Sequence, residues 1–303
     1  MNEGLKNLLI VETLRDKAID GVVILNCENS NPNGDPDVGG APRKDSEDFG
    51  LISAESIKRK LRDLVEDETV MATARKVLGI PQKGFEILES HRSKGKNGEN
   101  RADILKMSDA DFRARFWDVR VFGAMLLDDS KKDKKDKKDK TEKSHKNFRG
   151  AFQFVHASSV SRVIQITQSV SRKTGTNGDK DRGLGPNAIN IIKHAVYPVY
   201  FSYRPALGKA TGTTDNDLKL LFFLIDKIFD SYSVNRVGVD VVKTIVGVHK
   251  NALGTFNRYI FKDSVKPIRK GEDKSVPSSG LGDYVLCDTE GLKNLDGDFF
   301  SIV

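Results

Sequence analysis

The sequence predicts an α+β fold, and three observations lead to it. A β-branched apolar run at Ala18–Cys27 ends in a long loop rich in Asn, Pro and Gly, which is typical of a strand entering a loop. Two segments, beginning near Ser53 and near Thr214, place apolar residues at helical spacing. Alternating apolar segments lie between and after these helices. A chain of 303 residues has room for one such core with large insertions.

The elements are predicted in the order strand, helix, long insertion, strands, helix, strand. The buried stripe of the first helix consists of Ile57, Leu61, Leu64 and Val65. Residue patterns typical of strands resume at 147–159 and continue through SRVIQITQS to the run at 194–207. Pro198 in this last run predicts an edge or bulged strand. Thr214 with Asp217 resembles a capping box for the second helix.

Three segments near the C-terminus are predicted as further short strands: VDVVKTIVGVHKN, TFNRYIFKDSV and GDYVLCDTEGL. The whole order is then β-α-β-β-α-β with insertions, which is the ferredoxin-like or RRM-like plan. We therefore expect a single domain over residues 1–303, with a C-terminal strand extension at 263–303.

Residues 70–147 differ from this core because they are charged, punctuated by glycine and only weakly periodic, apart from the block FRARFWDVRVFGAMLL. The run KKDKKDKKDK contains no apolar residue and cannot bury surface to offset the entropy of ordering. We expect an insertion that includes a disordered Lys/Asp-rich loop. That loop is either a solubilising linker or a loose RNA contact.

The composition argues against several classes of protein. No stretch approaches the roughly 20 apolar residues that a membrane span needs, and the N-terminus lacks the pattern of a signal peptide. Two cysteines, Cys27 and Cys287, provide neither a disulfide framework nor a metal-spaced pair. We expect a cytoplasmic protein without membrane contact, metal or cofactor.

The net charge of +7 is concentrated in the middle of the chain. From Arg149 to Lys209, nine basic residues face two acidic ones, and the run 128–146 adds nine lysines against six acids. This distribution is typical of a face that binds a polyanion such as a nucleic acid; the alternative is an ordinary solvated surface. The candidate RNA contacts in the basic segment are Arg149, Arg162, Arg172, Lys173 and Arg182.

The loop ENSNPNGDP at 28–36 displays amides and backbone N–H groups, which can hold phosphate oxygens or base edges. The alternative is a tight turn that caps its own backbone. The loop leads to a helix whose Lys58 and Arg62 are four residues apart and therefore share one face. Arg59 is also a candidate contact, although with Asp63 it can form an exposed ion pair of little energetic value.

Aromatic residues give a weaker indication of base stacking. Phe152 and Phe154 alternate after Arg149, in faint similarity to the stacking strand of an RNA-recognition domain. Trp117 and Phe122 lie in apolar surroundings. Packing in the core is the favoured interpretation for all four rings.

No catalytic constellation stands out in the sequence. It contains no GxxxxGKS/T, HExxH or GxSxG motif, and its five histidines are scattered. The segment GLGPNA at 183–188 matches a dinucleotide-loop pattern by letter, but it follows a polar segment and not a strand. Asp35, Asp37, Asp45 and Asp48 can gather a metal ion, yet a solvated acidic loop is the favoured interpretation.

Four blocks occur in order along the chain: NSNPNGDP, the helix with KRKLRD, FWDVRVFGAML and PALGKATGTTDNDLKLLFFLIDKIFDS. Together with HKNALG near Lys250, they resemble the CRISPR-associated Cascade backbone subunits, in the type I-C and I-B branch of the repeat-associated (RAMP) superfamily. The resemblance spans about residues 20–259. The Lys/Asp run and the polar stretch 173–182 depart from it.

The resemblance implies an RRM-like palm, an inserted helical finger region at 70–147 and a protruding β-hairpin thumb at 163–192. It also implies which residues grip RNA. They are the loop residues Asn29, Ser30, Asn31 and Asn33, the basic Arg43 that follows, and Ser53, Lys58 and Arg62 of the helix.

The implied function is the non-catalytic binding of a guide RNA (crRNA) by a repeated backbone subunit of a type I interference complex. Several copies are expected to stack head to tail, leaving bases free to pair with target DNA. Implied partners are an end-capping RAMP subunit, a large subunit and a recruited helicase-nuclease. Two alternatives stay open: a metal-dependent endoribonuclease of the same superfamily that uses Asp35 or Asp37, and a stand-alone RRM-like RNA-binding protein.

Overall fold

The computed structural model describes residues 1–91, 101–127, 145–172, 185–230, 237–271 and 273–303. Its helices are α1 (Glu3–Leu9), α2 (Ala54–Glu66), α3 (Glu68–Leu78), α4 (Arg101–Lys106), α5 (Asp109–Arg115), α6 (Trp117–Phe122), α7 (Pro205–Thr211), α8 (Asp215–Leu224) and α9 (Arg258–Ser264). Its strands are β1 (Ile19–Ser30), β2 (Gly34–Asp35), β3 (Ala41–Pro42), β4 (Phe49–Ile52), β5 (Gly123–Leu127), β6 (His145–Arg149), β7 (Phe152–Phe154), β8 (Ala157–Arg162), β9 (Gln165–Arg172), β10 (Gly185–Tyr203), β11 (Val239–His249), β12 (Ile268–Arg269), β13 (Tyr284–Val285) and β14 (Gly297–Ser301).

The main sheet is antiparallel, with strand order β14-β11-β1-β10-β7, and β9 also pairs with β10. The long strand β1 lies between β10 and β11, where the register runs from Ile19 opposite Tyr203 and Val248. Helix α2 lies between β1 and β7 in the chain, and α8 lies between β10 and β11. The predicted mixture of helices with strands is confirmed.

Both predicted helices begin where their capping residues indicate. The Ser53 side chain accepts a hydrogen bond from the Ser56 backbone N–H, so it is the N-cap of α2. The Thr214 side chain and the Asp217 side chain cap each other's backbone in a complete capping box at α8.

Two apolar clusters cover the two faces of the sheet. On one face, the stripes of α2 and α8 pack against odd-numbered residues of β1 such as Val23 and Leu25. On the other face, Phe261 of α9 packs against Val22 and Ile24. The rings considered for base stacking belong to the first cluster, so their predicted core packing is confirmed: Trp117, Phe122, Phe152 and Phe154.

One prediction for the second half of the chain is wrong. The segment TFNRYIFKDSV contains helix α9 and not a strand, because Asn257 caps the N–H groups of Tyr259 and Ile260 and starts a helical turn.

The run containing Pro198 belongs to β10, which lies inside the sheet, but Pro198 itself is at a local edge. It pairs with Ile24 of β1, and on its other side it lies between the register of β9, which ends at Ile192, and that of β7, which begins at Phe201. Proline is tolerated at such a position because no ladder hydrogen bond needs its missing N–H.

The insertion after α3 has a small apolar cluster of its own, which includes Leu88, Ile104, Phe112 and Leu126. A buried ion pair ties it to the core, because Arg120 of α6 contacts both carboxylate oxygens of Asp217 at 2.9 and 2.7 Å. The predicted disorder of KKDKKDKKDK concerns a run that lies outside the described residues.

The segment predicted as a thumb contains a strand pairing. Strand β9 pairs with the first half of β10, from Gln165 opposite Ile192 to Arg172 opposite Gly185. Strand β10 then continues into the main sheet, so the pairing is an extension of that sheet. The basic residues Lys173 and Arg182 lie outside the described residues.

Candidate nucleic-acid interface

The Asn-rich loop folds into a small hairpin that extends from the end of β1. Strands β2 and β3 pair Gly34 with Pro42 and Asp35 with Ala41. Gly39 and Gly40 form its tip with φ angles of 61° and 78°, a left-handed region that glycine enters without steric cost. The hairpin is therefore an ordered element with a defined direction.

Two asparagines fix this hairpin to the rest of the fold. The Asn31 side-chain amide donates to the Gly40 carbonyl at 2.8 Å and to the Asn190 carbonyl at 3.3 Å. The Asn33 side-chain oxygen accepts the Ser53 backbone N–H at 2.7 Å. These bonds hold the loop against the start of α2, so the two predicted parts of the site are brought together.

Some polar groups of the hairpin keep hydrogen-bonding capacity. The Asn31 side-chain oxygen and Arg43 Nε are buried and have no hydrogen-bond partner among the described residues. Asn29 is exposed and adopts a left-handed φ of 47°, which asparagine tolerates better than most residues. Unsatisfied buried groups are uncommon in folded proteins, and a bound ligand is one way to satisfy them.

Ser30 has a structural role in this arrangement. Its hydroxyl accepts the Gly238 backbone N–H at 2.9 Å, and its side chain is 2% exposed. A Cβ atom on Gly238 would lie 2.0 Å from the Glu28 carbonyl oxygen, so glycine is what permits this close approach. The contact joins the end of β1 to the start of β11.

Lys58 and Arg62 share one face of α2, as the four-residue spacing predicts, and both lie over the ring of Phe122. Lys58 Nζ also donates to the Gln153 side chain at 3.1 Å. Burial lowers the pKa of Lys58, the neighbouring Glu55 raises it, and Arg62 lowers it. Lys58 is thus a partly desolvated cation at the edge of the sheet near β7.

Arg62 differs from Lys58 because its guanidinium is already engaged. Arg62 Nε lies 2.9 Å from Asp118, and the two side chains are 14% and 3% exposed. Asp118 also accepts the Leu88 backbone N–H at 2.9 Å. The pair connects α2 with the insertion, so Arg62 has a structural role that the sequence did not indicate.

The remaining basic candidates are spread over several elements. Arg59 is more than half exposed and forms the expected ion pair with Asp63 at 2.7 Å. Arg149 and Arg162 are exposed at the ends of β6 and β8. Arg172 ends β9, and Lys173 and Arg182 lie outside the described residues. RNA contact by these residues stays a prediction.

Of the four acidic residues considered as metal ligands, three have carboxylates that contact protein groups instead, and Asp37 is exposed. Asp35 caps the Asp37 N–H and lies 3.5 Å from Arg43, and Asp45 accepts N–H groups from Glu47 and Phe49. Asp48 pairs with Lys44, whose hydrogen bond and charge lower the pKa of this carboxyl. Within the described ranges, no three His, Cys, Asp or Glu side chains form a group that could hold a metal ion.

Several residues at this interface were missed by sequence reasoning. Asp118, Phe122 and Gln153 position the cations of α2, but each is far from α2 in the chain and no local pattern links them to it.

In the part of the chain that the structure describes, no helix is long and apolar enough to cross a membrane.

Comparison with known proteins identifies relatives of this chain. The CRISPR-associated protein Cas7 of Haloferax volcanii is 21% identical over 219 residues, which cover 70% of this chain and 64% of that protein. The chain therefore spans less than two thirds of the length of this relative. A chain of a solved "CRISPR RNA-guided surveillance complex, pre-nicking" has a TM-score of 0.45 and 16% identity, with 76% of this chain and 75% of that chain covered. A chain of another "CRISPR RNA-guided surveillance complex" has a TM-score of 0.41 and 15% identity, with 76% and 68% covered.

The family model described as CRISPR-associated protein Cas7 matches residues 17–287. This range contains the hairpin at 34–42, helix α2 and the strands of the main sheet other than β14. The chain accordingly belongs to the CRISPR-associated Cas7 family.

Proposed function

We propose that this chain is a non-catalytic backbone subunit that binds a guide RNA (crRNA) in a type I CRISPR interference complex. The observation that carries the proposal is the family match over 17–287, which includes the ordered Asn-rich hairpin held against α2. A grip of this kind suits a guide, because the strand must be held by its phosphates and sugars while its bases stay free for pairing.

The hairpin and α2 supply the chemistry for that grip. Exposed Asn29 can meet ribose hydroxyls, and Arg43 can contact a phosphate. Lys58 adds a positive charge whose burial is compensated when an anion binds beside it. Amides and cations of this kind bind the backbone without reading its sequence.

We assign the sheet with α2 and α8 as an RRM-like palm. The succession β1, α2, β7, β10, α8, β11 and the strand order β11-β1-β10-β7 support this assignment. The separate apolar cluster of the insertion supports fingers at 70–147, and the β9–β10 pairing supports a thumb at 163–192. Strands β12 to β14 fit a C-terminal strand extension at 263–303.

In the proposed assembly, copies stack head to tail along the spacer of one guide. An interface between two different surfaces of the same subunit generates a filament, and the RNA sets its length. We further assign the complex to the type I-C and I-B branch, with target DNA, an end-capping RAMP subunit, a large subunit and a helicase-nuclease as partners. These partners act on nucleic acid in the cytoplasm, where we expect the protein.

The endoribonuclease alternative finds no support in the geometry of the loop. It needs a free carboxylate such as Asp35 or Asp37 beside the RNA. The Asp35 carboxylate instead caps its own turn and contacts Arg43. Asp37 is exposed, but within the described residues no three His, Cys, Asp or Glu side chains form a group that could hold a metal ion beside it. We therefore propose that RNA is held and not cut.

The experiment is a salt titration of binding to a guide-length RNA. The parent protein should bind with a steep salt dependence, and Lys58→Ala should flatten the slope by about 0.7 if one phosphate contact is lost. Lys6→Ala is the matched control, because Lys6 lies on α1 in an exposed pair with Glu3. A parent protein that ignores RNA in dilute buffer, or that cleaves RNA when magnesium is added, would refute the proposed function.

A further inference from the structure

A cavity of about 570 Å³ opens on the sheet face that α9 covers, on the side of the sheet opposite α2 and α8. We call it the α9 pocket. It lies between β4, β8, β10 and α9, and the side chains used below are Phe49, Tyr200, Tyr259, Lys262, Lys266 and Lys274. Of the lining residues, the sequence singled out Asp45, as a candidate metal ligand.

Helix α9 presents a defined face to this pocket. Phe261 and Val265 are fully buried, and they anchor the opposite side of the helix in the second apolar cluster. Tyr259 and Lys262 lie three residues apart on α9 and share one face of it, and Lys266 follows just after the helix ends at Ser264; all three line the pocket. The buried anchors therefore fix an aromatic ring and two cations side by side.

The cations of the pocket lack close acidic partners. Among the described residues, no carboxylate lies within 4 Å of the amines of Lys262, Lys266 or Lys274. Two carboxylates, Asp45 and Asp263, line the pocket against these three lysines, so the lining carries a net positive charge. The pocket is thus complementary to an anion.

Lys262 is the most constrained of these cations. Its Nζ lies 5.1 Å from the centre of the Tyr200 ring. Burial lowers the pKa of Lys262 and the charge of Arg258 lowers it further, while Asp20 raises it. A half-buried cation that lies near another cation is stabilised when an anion binds to it.

An exposed aromatic ring stands at the rim of the same pocket. Tyr259 is 77% exposed, which is unusual for so large a side chain. Phe49 of β4 lines the opposite wall and is half-buried. Exposed rings next to cations are the arrangement on which single-stranded nucleic acids stack their bases.

The pocket is continuous with the proposed guide-binding surface. Phe49 lies opposite Arg162 in the β4–β8 pair, and the Arg162 N–H donates to the Lys274 carbonyl at 3.1 Å. The neighbouring Leu51 N–H donates to the carbonyl of Arg43 at 2.8 Å. A strand that leaves the hairpin can therefore reach the pocket along β4.

We propose that the α9 pocket binds one nucleotide of a single-stranded ribose-phosphate chain, with its base stacked on Tyr259 and its phosphate held by Lys262 and Lys266. The proposal rests on the proposed function. It adds a contact surface on the sheet face away from α2, and it predicts that one protomer holds RNA on two sides of β4.

The test uses the full chain and a guide-length oligoribonucleotide that contains 4-thiouridine. After irradiation, mass spectrometry should find crosslinked peptides that include residues 258–266. Tyr259→Ala should weaken binding about 5- to 150-fold, the range expected for loss of one stacked base, while Tyr259→Phe should bind like the parent. Lys266→Ala should reduce the salt slope by about 0.7, whereas Lys6→Ala on the opposite face of the sheet should reduce it less.

The outcomes separate this inference from the proposed function. If the parent binds RNA but α9 gives no crosslink and Tyr259→Ala binds like the parent, the α9 pocket is not a nucleotide site and the proposed function stands. If the variants weaken association between copies without RNA and leave RNA binding unchanged, the pocket is a protein interface and the inference is refuted. A parent that does not bind RNA refutes both.

Discussion

The strength of the ion pair between Arg62 and Asp118 distinguishes a structural role of Arg62 from a role in RNA binding. Asp118 is 2% exposed in the parent, and in the Arg62→Ala variant it loses this charged partner, while the Leu88 N–H is still donated to it. Breaking a buried pair by removing one partner costs about 3–5 kcal/mol. Because Arg62 itself keeps 14% exposure, we expect the lower end, about 3 kcal/mol, including its contact with the Phe122 ring.

The assay is thermal or urea unfolding followed by circular dichroism, with Arg59→Ala as the matched control. Arg59 lies on the same helix in an exposed pair with Asp63, so its removal should cost no more than about 1 kcal/mol. Arg62→Ala with Asp118→Ala should recover part of the loss, because no unpaired carboxylate is left. If Arg62→Ala is as stable as Arg59→Ala, the pair does not stabilise the fold and the structural role is wrong.

The pH dependence of the same variant gives an independent check. Burial raises the pKa of Asp118, and the charge of Arg62 opposes that effect. Without Arg62 the carboxyl should protonate more readily in the folded state. A group whose pKa is raised on folding destabilises the folded state progressively as the pH rises above its unfolded value. The stability deficit of Arg62→Ala should therefore be smaller near pH 4 than at pH 7, and a deficit that is equal at both would contradict this explanation.

Three further predictions concern other parts of the fold. Asn33→Ala should lower the free energy of unfolding by about 1–3 kcal/mol, because the Ser53 N–H loses its acceptor. For the same reason, hydrogen exchange at the Ser53 amide should become faster. Gly238→Ala should cost about 1–3 kcal/mol in unfolding experiments, because a Cβ would overlap a backbone oxygen of β1, whereas Gly280→Ala meets no atom within 4 Å and should cost much less. Burial lowers the pKa of His194, so the stability that it contributes is present above its unfolded pKa and is lost as the pH falls below about 6.5; His194→Gln should flatten this pH dependence between pH 7 and 5. An unchanged slope for that variant would contradict the explanation.

Local sequence signals predicted the parts of the site that depend on neighbours in the chain. The spacing of Lys58 and Arg62 placed them on one helical face, and Ser53 marked the start of that helix, because helix periodicity and capping involve residues within four positions. The misassigned segment around Tyr259 shows the limit of this approach. Its aromatic and β-branched residues favour a strand, but the Asn257 cap and the burial of Phe261 select a helix.

The sequence by itself determined the mixture of strands and helices, the central basic segment and the Asn-rich loop, since these follow from composition and short-range periodicity. Only the tertiary structure decided which cations are engaged by other side chains and which remain available to bind an anion. Arg62 meets Asp118 across 56 positions, and Lys58 meets Gln153 across 95. Long-range contacts of this kind depend on how helices and strands pack, and packing joins residues that share no local pattern. The physical reason is that burial and pairing set the chemistry of a side chain, and both are properties of the folded chain.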